Sequence, residues 1–326
     1  MYSVYVPLLI LVSFVLCALL TRLLIPILRR KKLGQTILAI GPAWHKAKEG
    51  TPTMGGAVFL LLLPPITLFG NLLMAKEITP SLVFILFFAL ANGLIGLIDD
   101  GTKLKNKRNL GLLPWQKLFL QSLFTGGFLF LMYRFSGTPL LLRLPFSTFE
   151  TEVGYLLLLL LFITVLGIVN CVNLSDGIDG LTASSTLIIG AFFLLEGFLF
   201  ENVSLTSLGC ATIGMMLGFL LFNAHPAKIF MGDTGSLFLG ALLAGACFLT
   251  ENPAILPMYT LIFLCEGASV ILQVFVFKRT GKRLFLMAPL HHHLEKCGWS
   301  EKKIVLVFSF ITLLSCLFAH FALIEH

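Results

Sequence analysis

This chain of 326 residues is short of charge. Asp, Glu, Lys and Arg make up only 12% of it, and 57% is hydrophobic. An ordinary soluble domain carries about twice that charge. Such scarcity excludes a soluble one- or two-domain fold, which has no means of hiding so much apolar surface. Asp is scarcest of all, found only at positions 99, 100, 176, 179 and 233. The seven cysteines form no CxxC pair, and an odd count at such spacing argues against a disulfide framework. GxxxxGK[ST], HExxH and a GxGxxG following a strand are all missing, so nothing points to ATPase, zinc-protease or Rossmann chemistry. The N-terminal stretch lacks a charged n-region and a small-residue cleavage site, and reads as a first span rather than a signal peptide.

What the chain has instead is apolar runs. Ten approach spanning length: Val4–Leu28, Thr53–Met74, Thr79–Ile98, Pro114–Tyr133, Val153–Val172, Leu181–Phe200, Leu205–Ala224, Gly235–Thr250, Ala254–Phe277 and Ile304–Ile324. In lipid every backbone amide needs an internal partner, and no period-2 alternation favours a barrel. The expected fold is an all-α polytopic membrane protein of about ten helices, read as one domain over residues 1–326.

Ten spans put both termini on one side and divide the loops into two sets. The loops 29–52, 99–113, 173–180, 225–233 and 278–303 hold nearly all the Lys and Arg; the other set holds only Lys76, Arg134 and Arg143. This bias makes the first set cytoplasmic and the termini external. The net charge of +7 then records orientation rather than affinity for nucleic acid. All five Asp, with His45, His225 and His291 to His293, fall in the same loops or at the adjoining membrane edge. The positive-inside rule does not account for the Asp, so their convergence marks a candidate site.

Four segments carry the chemistry. Asp99-Asp100 reads as the end of span three, where two adjacent carboxylates oppose the helix dipole but attract a divalent cation. Asn170-x-x-Asn173-x-x-Asp176-Gly177-Ile178-Asp179-Gly180 reads as the end of span five, with amides and carboxylates on one face before a glycine break. Its plainer reading is an interhelical clamp and a turn. Asn223 to Ser236 contains Phe230, suited to stacking on a base or to anchoring a loop, and Asp233, just before span eight, whose plainer reading is an N-cap at a helix start that also offers free amides to a phosphate. His291, His292 and His293 do not face one way on a helix, so they do not make a three-His zinc site, but they suit a polyanion. Ahead of span two, Thr53 reads as an N-cap, and Gly55 and Gly56 as sites of close packing. In the external loop 134–152, residues around Arg143 alternate as in a small hairpin. A transporter would place its ionisable groups near the bilayer midplane, where only Glu196 and Glu266 stand.

Taken in order, Gly50-Thr-Pro-Thr-Met-Gly-Gly56, Asp99-Asp100, Asn170 to Gly180, Phe230-Met-Gly-Asp-Thr-Gly-Ser236 and Ala288-Pro-Leu-His-His-His293 resemble the polyprenyl-phosphate N-acetylhexosamine-1-phosphate transferase superfamily. The uninterrupted His triplet is similar to its muramoyl-pentapeptide branch rather than to the GlcNAc-phosphate branches. The resemblance implies a homodimeric enzyme of the bacterial plasma membrane. That enzyme moves phospho-MurNAc-pentapeptide from UDP-MurNAc-pentapeptide to undecaprenyl phosphate with Mg2+, giving lipid I and UMP. It implies Asp233 as the Mg2+ ligand, Asp99 and Asp100 facing the acceptor phosphate, and His291 among the catalytic residues. Lys48, Gly177, Ile178, Asp179 and Phe230 are implied around uracil. Asn173, Asp176, Asn223, Gln273, His292 and His293 are implied around sugar and phosphates, with Lys117 on the acceptor phosphate and Thr53 and Asn170 among the substrate residues. Gln273, polar in a nearly apolar span, is expected to face the cleft. A phosphate monoester is mostly dianionic at neutral pH, which favours direct single displacement.

Overall fold

The computed structural model describes residues 4–30, 48, 50–106, 111–137, 141–143, 145–146, 150–250 and 252–324. His45, Lys46 and the basic pairs 31–32 and 107–108 lie outside them. Twelve helices are described: α1 (Tyr5–Arg30), α2 (Ala57–Ala75), α3 (Pro80–Asn106), α4 (Pro114–Phe135), α5 (Tyr155–Ser175), α6 (Leu181–Leu199), α7 (Val203–Asn223), α8 (Gly232–Ala246), α9 (Leu256–Tyr259), α10 (Leu261–Thr280), α11 (Leu290–Lys296) and α12 (Glu301–Ile324). All but α9 and α11 are long and apolar enough to cross a membrane, α8 with the help of a 3-10 turn through Thr250. The chain is an all-α polytopic membrane protein.

The expected hairpin is present. Strands β1 (Leu141–Arg143) and β2 (Glu150–Glu152) pair antiparallel, with Arg143 opposite Glu150 and an ion pair of 2.8 Å between them.

Helix α8 is the axis of the bundle. Every residue from Thr234 to Ala246 is buried, with α3 and α5 packed along it and α2 beside its start. Its sequence explains this, because glycine lets backbones approach closely. A β-carbon on Gly56 of the α2 entry would lie 2.1 Å from the Gly235 backbone, and one on Gly96 of α3 would lie 2.2 Å from the Asp233 carbonyl. The reading of Gly56 as a packing glycine holds. α1, in contrast, leaves many of its Leu and Val side chains exposed to what is lipid in a membrane.

Three helix ends depart from expectation. Helix α3 does not stop at Asp99-Asp100 but runs on to Asn106. Helix α2 is capped at Gly56, not Thr53. The reason is that Pro52 to Gly56 pairs with the 230–231 backbone: Phe230 donates to Pro52 (2.9 Å), and Gly55 and Gly56 donate to Phe230 and Met231 (2.8 and 2.9 Å). Asp233 sits in the first turn of α8, whose cap position is Met231.

The loops sorted as basic meet at one end of the bundle. Lys48 reaches Asp179 and Glu301, His225 reaches Asp179, and Lys103 joins Asp99 to Asp233.

Candidate active site

Asp233 is the hub. Gly232, at φ +70°, turns the chain into α8. Asp233 Oδ2 accepts from Lys103 (2.9 Å) and Lys117 (3.0 Å), and Oδ1 accepts from the Asn173 amide (2.9 Å). Asn173 also donates to Ser236 (2.8 Å) and accepts from Lys117 (3.0 Å). Helices α3, α4 and α5 therefore each place a side chain on one carboxylate of α8.

Asp99 and Asp100 stand beside it. The Lys103 ammonium lies 2.6 Å from Asp99, one turn earlier on α3, and the Leu112 amide donates to Asp99 at 2.7 Å. Asp100 turns to α8. It accepts the Thr234 amide (3.0 Å), the Thr234 hydroxyl (2.7 Å) and, at 3.3 Å, the Asp233 amide. The orphan donors of α8 are thus satisfied by a carboxylate from α3, which corrects the expectation that Asp233 caps its own helix. The same contact explains how the acid pair is tolerated: Asp100 meets the positive end of a dipole.

One carboxylate oxygen from each of Asp99, Asp100 and Asp233 lies within 4.8 Å of the other two. Three hard oxygen donors at this spacing fit a small divalent cation such as Mg2+. Lys103 and Lys117 supply positive charge on the same spot, so the site suits phosphate groups as well. Thr53 adjoins it: a β-carbon on Gly232 would lie 2.8 Å from the Thr53 hydroxyl and 2.6 Å from Asp100.

A second constellation lies around Asp179, which is nearly buried. It accepts from Lys48 (2.7 Å) and from the Ala227 amide (2.9 Å), and its Oδ2 lies 3.0 Å from His225 Nδ1. Glu301 accepts from the same Lys48 (2.7 Å) and from the Asp179 amide (3.1 Å). Lys48 and Asp179 are thus brought together, with Ile178 buried next to Asp179 and Phe230 held by its backbone to Pro52.

Asp176 differs from both groups. Its carboxylate makes no hydrogen bond among the described residues. Burial, together with the charges of Asp233, Asp100 and Asp179, pushes it up to about 8. It is the acid with the most to gain from an incoming cation or donor.

The remaining expected residues divide. Asn170 donates to Gln121 of α4 (3.1 Å), one turn from Asn173, which matches the clamp reading of that residue. Asn223 donates to Ile229 (2.9 Å) and closes its own loop. Gln273 is not brought to the acids. Its amide binds the backbone of Leu284 and Phe285 (2.8 to 3.2 Å), tying the segment after α10 back onto that helix. The three His side chains lie on α11 and take different partners, His291 meeting Glu266, His292 Glu295 (2.6 Å) and His293 the Leu286 amide (3.2 Å), while the His291 and His292 rings touch edge to face with centroids 4.2 Å apart.

Several residues at the site went unread in sequence. Lys103 had a signal, since it stands four residues after Asp99 on a helix. Glu266 was noticed but placed at mid-span, whereas it lies against His291. Ser236, Thr234, Gln121 and Glu301 carried no local signal, because their partners are 49 to 253 residues away.

Comparison with known proteins shows the family. The family model for glycosyl transferase family 4 matches residues 82–251, which hold the three clustered acids, Lys103, Lys117 and Asn173. The phospho-N-acetylmuramoyl-pentapeptide-transferase of Clostridioides difficile (strain 630) is 41% identical over 93% of this chain and 92% of its own length. That of Bacillus subtilis (strain 168) is 41% identical over 92% of each, and that of Clostridium botulinum (strain Eklund 17B / Type B) is 41% identical over 96% and 95%. With identity at that level along nearly the full chain, this protein belongs to glycosyl transferase family 4, among the phospho-N-acetylmuramoyl-pentapeptide-transferases.

Proposed function

We propose that the chain transfers phospho-MurNAc-pentapeptide from UDP-MurNAc-pentapeptide to undecaprenyl phosphate, giving lipid I and UMP, the first membrane step of peptidoglycan synthesis. The observation that carries the reading is the meeting of Asp99, Asp100, Asp233, Lys103, Lys117 and Asn173 at the mouth of a membrane bundle. A lipid acceptor requires a site at the membrane, and a nucleotide donor requires one open to the cytosol. The basic loops around the site support a cytoplasmic face of the bacterial plasma membrane, by the positive-inside rule.

In this reading an acceptor phosphate oxygen attacks the phosphorus bonded to the sugar. The bond from that phosphorus to the bridging oxygen breaks, and UMP leaves with the electron pair. Lys117 and Lys103 hold the acceptor and donor phosphates, because each ammonium is anchored by Asp233 rather than buried alone. Asn173 keeps Asp233 oriented. Asp233, with Asp99 and Asp100, would hold Mg2+, which when bound offsets phosphate charge as in phosphoryl transfer generally. Asp100, whose oxygens already serve the α8 N-terminus, is better placed to hold the site than to take a proton. A dianionic phosphate needs little base, and single displacement follows. Lys48, Gly177, Ile178, Asp179 and Phe230 would border the uracil. Asp176, Asn223, His291, His292 and His293 would face sugar and phosphates, with Thr53 beside the acids and Asn170 and Gln273 in support. The enzyme would act as a homodimer.

The test is UMP release with UDP-MurNAc-pentapeptide and undecaprenyl phosphate, with and without Mg2+, against UDP-GlcNAc as alternative donor. Asp99→Asn, Asp100→Asn and Asp233→Asn enzymes, folded in detergent, should each lose about 100-fold or more of the rate. Near-normal turnover by all three overturns the site. Rapid exchange of UMP into donor without acceptor lipid would argue for a covalent intermediate instead.

A further inference from the structure

Glu266 is the one acidic residue among the apolar residues of α10, and it is wholly buried. A carboxylate in such a place persists only when it is hydrogen-bonded or paired. Its partner is a single residue. The His291 amide lies 3.1 and 3.4 Å from the two Glu266 oxygens, and His291 Nδ1 lies 3.2 Å from Oε2. One carboxylate thus accepts from the start of α11 and faces the ring that α11 carries. The ring is fully buried as well. Neither ring nitrogen has a hydrogen-bond partner among the described residues, Nδ1 only coming within 3.2 Å of Glu266 Oε2. The far one is Nε2. That nitrogen is pressed on the turn between α5 and α6: a β-carbon on Gly177 would stand 2.2 Å from it. Asp176 and Asp179 flank that glycine.

A buried polar atom with no partner calls for one. We propose that Glu266 is a positioning residue that holds the His291 imidazole with Nδ1 inward, so that Nε2 is presented at the 176–180 turn to a donor phosphate. The assignment rests on the reading of His291 as a substrate residue. It gives a buried membrane acid a task at the cytoplasmic site, which its place in an apolar span conceals.

The test is a double-mutant cycle on the full-length enzyme in detergent, reading UMP release with UDP-MurNAc-pentapeptide and undecaprenyl phosphate. Glu266→Gln keeps the size and an acceptor oxygen but no charge. It is expected to lower kcat 10-fold or more with the donor KM changed less than 3-fold. In the His291→Asn background the same change should add less than 2-fold, because its only route to the reaction is gone. If Glu266→Gln does not fold, Glu266→Asp, which keeps the charge at a shorter reach, is taken through the same cycle. A merely structural role would cost the same factor in both backgrounds and would overturn the proposal. So would wild-type turnover by the Glu266 variants while His291→Asn is impaired. Unchanged turnover in His291→Asn itself would instead remove the reading on which the proposal stands.

Discussion

Asp100 and Thr234 join the two central helices of the bundle. The Asp100 carboxylate on α3 accepts both the amide and the hydroxyl of Thr234 at the start of α8, at 3.0 and 2.7 Å. The next acid, Asp233, is thereby held in the first turn of α8, where Lys103, Lys117 and Asn173 converge on it. The contact is at once a helix cap, a link between two spans and a frame for the acid cluster.

Asp100→Asn should therefore do more than slow the enzyme. The amide keeps one acceptor oxygen but loses the charge facing the helix dipole. A cost of about 1–2 kcal/mol in stability is expected. Thr234→Val removes only the hydroxyl contact and should cost less. Thermal melts in detergent, read beside UMP release, check the order: wild type above Thr234→Val above Asp100→Asn.

Gly177→Ala is expected to keep the fold and lose the reaction. The glycine does not have a positive φ, so no backbone strain enters. The added carbon would meet His291 Nε2 at 2.2 Å, and the buried ring has to move. A displacement of that order costs about 100-fold in rate. Gly167→Ala, with open space around its β-position, is the control and should be near wild type. Equal activity of the two variants would contradict the placement of His291.

Lys48 is shared by Asp179 and Glu301, both largely buried. Lys48→Met leaves two carboxylates facing each other with only His225 and two backbone amides to meet them, and should destabilise the protein by about 3 kcal/mol. Adding Glu301→Gln removes one of the charges and should recover part of that loss. A double variant less stable than the single one would show that the lysine acts elsewhere.

Asp176 yields a pH dependence with a definite sign. Its ordinary value is 3.8, and in the folded protein it is raised to about 8. The folded state then holds the proton more tightly than the unfolded state. Stability contributed by the protonated form is present at low pH and falls as pH rises from about 4 to about 8. Melts in the absence of divalent cations should drop between about pH 4 and pH 8, and Asp176→Asn should flatten the drop. A variant that falls as steeply as wild type would place the titration on another group.

The membrane architecture was legible because lipid forces each spanning segment to close its own hydrogen bonds, so ten apolar runs become ten helices without reference to one another. The acids were legible for a related reason. In a chain this poor in Asp, five on one set of loops stand out, and the resemblance to a known superfamily added roles to their positions. Helix ends were harder. Thr53 looks like an N-cap in isolation, yet the 50–56 segment spends its backbone donors on Phe230 and Met231. Asp233 looks like the cap of α8, yet Asp100 supplies it.

Sequence alone therefore determined what is local or compositional: the membrane fold, the spans, the hairpin around Arg143 and the segments that bear charge. Tertiary structure decided how those charges pair. Asp100 with Thr234, Lys48 with Glu301, Asn170 with Gln121 and Glu266 with His291 join residues 25 to 253 positions apart. Side-chain periodicity says nothing at that range. A carboxylate buried in a helix bundle takes whichever donor the packing of glycine-rich helices brings to it. Glu266 shows this most clearly: an acid in an apolar run by sequence, and the neighbour of His291 once α10 and α11 are packed.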